Sequence, residues 1–198
     1  MSVAVEVTEA PRVARSVAGP VIPVRLLPGI ALVLAGLVVA IARNSEWGLD
    51  FYHVVGGALW TSIDLFVGFV IGPILRRLSV PARVEFTMRF TPLMLVIMPT
   101  VVTMTLGAGF QLARLSGHLN TADPRHAWVV VSMCVVGVMA VVALAILSPA
   151  NLAVLLELRK PQPNPQVVQR LMRRFVYAAA VTGAMQLATF VIMTRLAS

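Results

Sequence analysis

The chain has 198 residues, of which 59% are hydrophobic and only 12% are charged, and its formal net charge is +8. This composition excludes an ordinary soluble domain, which needs a much more polar surface, and it favours a membrane protein with several spans. Most of the basic residues lie between alternate apolar segments, which is typical of cytosolic loops and argues against nucleic-acid binding.

The N-terminal residues, 1–24, have no helical period, and we expect them to form a disordered cytosolic tail. The remaining residues, 25–198, are predicted to fold as a single transmembrane bundle. The first span of this bundle covers residues 26–42. Because its end, Ala40-Ile41-Ala42, resembles a signal-peptidase site, the sequence leaves open whether the span is cleaved.

The second span is predicted at residues 51–75 and the third at residues 91–115. Basic and apolar residues alternate in the connection between them, residues 76–90. This mixture suits a short helix at the cytosolic interface or an inward extension of the third span. Within the third span, Pro99 has no backbone N–H to donate, so we expect a bend there.

The fourth span is predicted at residues 127–147, where Ser148-Pro149 should end the helix. A second basic connection, residues 149–174, contains several prolines and precedes the fifth span at residues 175–196. The predicted fold class is therefore all-α: a polytopic membrane helix bundle with about five transmembrane helices.

The distribution of basic residues predicts the orientation of this bundle. Loops on the cytosolic side of a membrane are enriched in lysine and arginine, which places the N-terminus inside and the C-terminus outside, in the cytoplasmic (inner) membrane. Trp47, Tyr52 and Trp128 would then form an aromatic belt at the outer interface. Twelve basic residues fall on the predicted inner side, namely Arg12, Arg15, Arg25, Arg76, Arg77, Arg83, Arg89, Arg159, Lys160, Arg170, Arg173 and Arg174, against four on the other, namely Arg43, Arg114, Arg125 and Arg195.

A carboxyl group, that of Asp64, lies near the middle of the second span, where insertion of a charge costs about 3 kcal/mol. Thr103 on the third span and Gln186 on the fifth are predicted at a similar depth. These three residues form a predicted intramembrane polar cluster, which could lie on the path of a proton or a cation. Alternatively, they hydrogen-bond to one another and hold the helices together.

Two histidines, His53 and His126, are predicted near the outer ends of the second and fourth spans. Two histidines at one level on different helices could supply both axial ligands of a b-type haem. The same pair could bind copper, with the thioethers of Met133 or Met193 as further ligands. A histidine at a helix end can also be an ordinary interfacial hydrogen-bonding residue, and the histidine spacing does not separate these interpretations.

Glycines mark the second span as a packing surface. Gly57 lies close to the helix face of His53 and Asp64, where it would let a neighbouring helix or a flat cofactor approach closely. Gly68 and Gly72 form a small-xxx-small pair, which favours packing within the bundle, against a partner subunit of a membrane complex, or against a second copy of the chain.

The sequence contains no motif that identifies an enzyme. It has no nucleophile elbow, phosphate-binding loop, HExxH zinc motif or Cys-x-x-Cys pair, so whether the protein is an enzyme stays open. The single cysteine, Cys134, lies in an apolar run and excludes an intrachain disulfide.

A histidine, several small residues and a tryptophan follow one another in the stretch His53-Val54-Val55-Gly56-Gly57-Ala58-Leu59-Trp60. This stretch, together with Gly72-Pro73, Arg76-Arg77 and Phe90-Thr91-Pro92, resembles the membrane domain of copper-resistance D (CopD-like) proteins. The resemblance covers about residues 53–117, with Thr61-Ser62 in place of the usual glycine pair and Asp64 as an added charge. It implies copper handling or a b-type haem, with His53 at the ligand position.

Three functions are therefore open. The first is a CopD-like metal or haem protein that handles copper, or transfers electrons through a b-type haem in the outer leaflet. The second is a cofactor-free structural or accessory subunit of a larger membrane complex. The third is a small proton-coupled permease that uses Asp64.

Overall fold

The structure is a computed structural model that describes residues 19–160 and 162–197. All regular structure in these residues is helical, and five helices are long and apolar enough to cross a membrane, which confirms the predicted all-α architecture with five spans. Residues 1–18 of the predicted tail lie outside the described residues. The five helices are α1 (Val24–Ala42), α2 (Glu46–Arg77), α3 (Val80–Leu115), α4 (His126–Leu158) and α5 (Gln166–Leu196).

The turns between the first three helices are short and capped by serine. The side chain of Ser45 accepts a hydrogen bond from the Gly48 backbone N–H at the start of α2. Ser79 accepts one from the Ala82 N–H at the start of α3, with a proline in the first turn. Such caps satisfy N–H groups that have no partner within the helix, and the short turns make consecutive helices antiparallel.

Two of the helices contain a π-helical turn, Val67–Ile71 in α2 and Ala143–Leu147 in α4. Each turn is followed closely by a proline, Pro73 or Pro149. A π turn shifts the backbone hydrogen bonds by one residue and releases a carbonyl group, so the missing N–H of a proline just beyond it costs little. Both helices therefore continue past their prolines.

The prediction that Ser148-Pro149 ends the fourth helix is wrong for this reason. The Ser148 N–H bonds to the Ala143 carbonyl across the π turn, and the Ser148 hydroxyl donates to the same oxygen at 2.9 Å. This second hydrogen bond holds the widened turn, and α4 runs on to Leu158.

Both basic connections are shorter than predicted. The connection predicted at 76–90 is a turn at residues 78–79, because the following segment extends α3 inward from Val80. In the connection predicted at 149–174, the described residues outside the helices are 159–160 and 162–164. The helix α3 also continues through Pro99 without a break.

The two ends of the bundle differ in composition, and we name them accordingly. The histidine end contains residues 43–45 and 116–125 with the adjoining helix ends, and the arginine end contains residues 78–79, 159–160 and 162–164 with the adjoining helix ends. Three clusters of buried apolar side chains lie between these ends, and α3 contributes to all of them. They are Leu37, Ala40, Leu49, Met104 and Ala108 at the histidine end; Trp60, Val101, Val102, Met139, Ala140 and Ala143 in the middle; and Val84, Met88 and Leu155 at the arginine end.

Much of the surface is apolar. Trp47 and Phe69, for example, are 79% and 78% exposed, and large aliphatic side chains are exposed along all five helices. A soluble protein rarely exposes an apolar surface of this extent, whereas a multi-pass membrane protein presents it to the lipid chains.

Candidate functional site

The ring of His53 is held against the backbone of α3. Its Nδ1 atom lies 2.9 Å from the carbonyl oxygen of Thr105. Because a carbonyl oxygen can only accept a hydrogen bond, Nδ1 carries the proton and donates it. In the neutral imidazole with this tautomer, the other ring nitrogen, Nε2, has a lone pair that can bind a metal ion.

A glycine on α3 makes room for this ring. A β carbon at Gly109 would lie 2.5 Å from His53 Nδ1 and 2.6 Å from Cε1, distances that no side chain tolerates. The imidazole therefore occupies the space that a larger residue at 109 would fill. Thr105 and Gly109 were not identified from the sequence, although a threonine and a glycine four residues apart are a signal for close helix packing.

The same close approach continues one turn deeper along α2. A β carbon at Gly56 would overlap the Thr105 hydroxyl, while one at Gly57 would make an ordinary contact with the Thr105 methyl group at 3.8 Å. Gly68 and Gly72, the glycine pair predicted to allow helix packing, do not lie in such a close contact. Within the part of the chain that the structure describes, no atom lies within 4 Å of a β carbon built at Gly68, and one at Gly72 meets only its own helix.

The other two histidines lie at the histidine end, His118 in the loop and His126 as the first residue of α4. His126 Nδ1 lies 3.3 Å from the carbonyl oxygen of His118, and His118 Nδ1 lies 3.0 Å from Asp123 Oδ2. The second carboxyl oxygen of Asp123 accepts the Arg125 backbone N–H at 2.7 Å. These hydrogen bonds, that from His118 foremost, hold the pKa of Asp123 below its ordinary value of 3.8.

The predicted ligands are thus anchored on different elements. His53 is bonded to α3, whereas His126 is bonded to the loop. Met133 is 42% exposed on the surface of α4, and Met193 is half-buried on α5. Among residues 19–160 and 162–197, no group of three or more His, Cys, Asp or Glu side chains is arranged to hold a metal ion.

The polar cluster predicted around Asp64 is present in part. The Nε2 atom of Gln186 lies 2.6 Å from Asp64 Oδ2, which joins α2 to α5. Trp60, one turn away on α2, is buried at 3% exposure. Gln186 is only 2% exposed, and its Oε1 atom is buried without a hydrogen-bond partner in the described part of the chain.

The third predicted member, Thr103, lies on the exposed surface of α3. The neighbouring residues Val102 and Met104 are buried, because α3 turns these side chains toward the other helices. Thr103 is therefore not a neighbour of the pair formed by Asp64 and Gln186. Depth in the membrane follows from sequence position, but the rotation of a helix about its axis depends on packing.

Two threonines flank Gln186 on the same face of α5, and their hydroxyls donate to carbonyl groups of α5 itself. Thr182 donates to the Ala178 carbonyl at 3.2 Å, and Thr189 donates to the Met185 carbonyl at 3.0 Å. Both hydroxyls are therefore satisfied within their own helix. Gln186 is the residue of this stripe whose side chain reaches a carboxyl group on another helix.

Comparisons of the chain with known protein families, with curated proteins and with solved structures gave no match. The resemblance to copper-resistance D proteins therefore depends on the residues quoted above. The function is inferred from the chemistry of His53, Asp64 and their surroundings.

Proposed function

We propose that the chain is a multi-pass membrane protein of the copper-resistance D type, which binds a b-type haem or copper through His53 at its histidine end. The observation that carries this proposal is the hydrogen bond from His53 Nδ1 to the Thr105 carbonyl. Histidines that bind metals almost always donate their second ring N–H to a carbonyl or carboxylate, which fixes the tautomer and the ring orientation. His53 meets this requirement and has Nε2 available.

The surroundings of His53 fit such a group. Gly109 allows the ring to lie against α3, so its position is set by the backbone rather than by a mobile side chain. Bound haem would supply one-electron transfer, whereas copper would be the cargo of the protein.

Further ligands would come from the predicted set. His126 has the same arrangement as His53, with Nδ1 at 3.3 Å from a carbonyl oxygen and Nε2 available. For copper, the thioethers of Met133 and Met193 are the candidate soft ligands on α4 and α5. We assign His53 as the principal ligand because its environment is the more closely packed of the two.

The proposed location is the cytoplasmic membrane, with the histidine end outside. Among the described residues, ten basic and two acidic side chains lie in the halves of the helices and the turns toward the arginine end, against four basic and three acidic side chains toward the histidine end. Cytosolic loops carry the excess of lysine and arginine in membrane proteins, which supports this orientation.

The test is an absorption spectrum of the full-length protein purified in detergent, oxidised and then reduced with dithionite, with metal analysis of the same sample. We expect a Soret band with sharpened α and β bands on reduction, or bound copper. Expression in medium supplied with haem precursor and copper must give one of these. Protein that carries neither contradicts the proposal and favours the accessory-subunit interpretation.

Matched variants then locate the ligand. His53→Ala should abolish the bound haem or copper, whereas His118→Gln, at another histidine of the same end, should retain it. Gly109→Ala keeps the ligand atom but displaces the ring, so occupancy should fall without loss of the folded protein. Equal occupancy in all three variants would exclude His53 as the ligand.

A further inference from the structure

We propose that Asp64 and Gln186 form a proton-binding site in the middle of the bundle, at which Asp64 takes up and releases a proton. This inference is independent of the metal or haem at His53. It begins with the contact between Asp64 Oδ2 and the Gln186 amide nitrogen at 2.6 Å.

A side-chain amide can form a hydrogen bond with a carboxyl group in both of its protonation states. When Asp64 is ionised, the amide N–H donates to the carboxylate oxygen, which is the arrangement in the structure. When Asp64 is neutral, its O–H can donate to the amide oxygen after the terminal amide of Gln186 turns over. The separation of 2.6 Å suits the second arrangement as well, because O–H···O hydrogen bonds are shorter than N–H···O bonds.

The unpartnered oxygen of Gln186 supports this exchange. Oε1 is buried and lacks a hydrogen-bond donor while Nε2 faces Asp64. A buried polar atom without a partner destabilises the folded protein by about 1–3 kcal/mol. Rotation of the Gln186 amide becomes favourable when a donor for Oε1 is available. A proton on Asp64 provides that donor.

A proton fits the site better than a metal cation does. Sodium, calcium and magnesium ions need several oxygen ligands and space for themselves, whereas a proton needs neither. Thr182 already donates to the carbonyls of its own helix, and Thr103 is on the outer surface of α3. The burial of Gln186 to 2% leaves its amide closed to a hydrated ion.

No other ionisable side chain lies close to Asp64 along its own helix or close to Gln186 along α5. The nearest on α2 are His53 and Arg76, eleven and twelve residues away, and the nearest on α5 are Tyr177 and Arg195, each nine residues from Gln186. The helices packed against α2 and α5 carry ionisable groups mostly toward their ends. On α3 these are Arg83, Glu85, Arg89 and Arg114, and on α4 they are His126, Cys134 and Glu157, of which Cys134 is exposed. A titration at Asp64 therefore reports this site alone.

The test is infrared spectroscopy of the full-length protein in lipid vesicles, titrated between about pH 5 and about pH 9. A neutral carboxyl group has a carbonyl band that a carboxylate lacks. We expect a band that appears on acidification, disappears reversibly, is missing in Asp64→Asn and is unchanged in Asp50→Asn. The matched control, Asp50, is an exposed carboxyl at the histidine end of the same helix. A band that is absent or constant over the whole titration overturns the proposal.

A labelling experiment on the unmodified chain covers the case in which Asp64→Asn fails to fold. Hydrophobic carbodiimides react with neutral carboxyl groups that lie within a membrane. We expect modification of Asp64 at the acidic end of the titration and protection at the alkaline end, located by peptide mass. Absence of the label at every pH overturns the proposal.

The role of Gln186 has its own readout. Gln186→Met preserves the side-chain volume and removes the amide. The Asp64 band should then move to higher frequency, because the carboxyl O–H loses its acceptor. An unchanged frequency would mean that Gln186 does not contact the neutral acid. His53→Ala should leave the band unaffected, which separates this result from that of the metal or haem proposal.

Discussion

Two helical hairpins, α2–α3 and α4–α5, share one plan and differ in how closely their helices pack. In each, the first helix begins at the histidine end, contains a π turn before a proline, and ends near a pair of basic residues, after which the second helix returns. In α2–α3, Gly56 and Gly109 let the backbones approach closely. In α4–α5, no atom of the described residues lies within 4 Å of a β carbon added at Gly137 or Gly183. Close packing thus fixes His53 in the first hairpin, while the second is joined by larger side chains.

The largest effect should come from filling the close contact. Gly56→Leu would drive a side chain into Thr105 and Met104, and we expect the free energy of unfolding to fall by about 3 kcal/mol. The matched control is Gly137→Leu on α4, which places the same side chain in open space and should not destabilise the protein. Unfolding by denaturant in detergent measures both. Equal losses would remove the distinction between the hairpins.

The second effect concerns the π turn that the hairpins share. In α4, the Ser148 hydroxyl donates to the Ala143 carbonyl, whereas the corresponding residue of α2 is Gly72, which has no side chain to donate. Ser148→Ala should therefore lower the free energy of unfolding by about 1 kcal/mol. The control is Ser116→Ala, which removes a comparable bond to the Leu112 carbonyl at the exposed end of α3 and should cost less. A larger loss at Ser116 would contradict a special role for the π turn.

These comparisons show how far the sequence predicts the structure. A long apolar segment that crosses a bilayer is expected to be helical, because a helix satisfies every backbone polar group within the segment itself. The five helices were predicted from the sequence for this reason. The end of α4 was missed because a π turn has no composition of its own and makes Pro149 compatible with a continuous helix. A proline by itself indicates only that one N–H is absent.

The same argument applies to the candidate site. The depth of Asp64 and Gln186 follows from counting residues along each span, and the structure places the two in contact. The partner of His53 is a backbone carbonyl, which every residue has, so no side-chain pattern identifies Thr105. The exclusion of Thr103 depends on the rotation of α3, which the packed neighbours determine.

A smaller effect is expected in the loop of the second hairpin. Glu157 is buried beside this loop, where it accepts hydrogen bonds from the Lys160 ammonium at 2.5 Å and from the Asn164 N–H at 3.0 Å. Glu157→Gln weakens the first contact by removing the charge. Limited proteolysis of residues 159–164 should become several-fold faster. The control, Glu85→Gln, breaks an exposed ion pair with Arg89 at 2.7 Å and should leave the cleavage rate unchanged.

The smallest effect concerns the loop that connects the two hairpins. The hydrogen bonds from His118 and from the Arg125 N–H hold the pKa of Asp123 below its ordinary value of 3.8. A carboxyl group whose pKa is lower in the folded state stabilises that state above its unfolded pKa, and this contribution is lost as the pH falls through the folded value. The loop should therefore keep its order from neutral pH to about pH 4 and lose it on further acidification.

Hydrogen exchange at the Arg125 amide, corrected for the intrinsic rate at each pH, measures this change, because that N–H bonds to Asp123 at 2.7 Å. Asp123→Asn should exchange faster at neutral pH and lose the acid-dependent step. An Arg125 amide protected equally in both proteins would show that Asp123 does not order the loop. The connection between the hairpins would then depend on the buried contacts of α3 with α4 and on the hydrogen bond between Asp64 and Gln186, in the middle of the bundle rather than at its end.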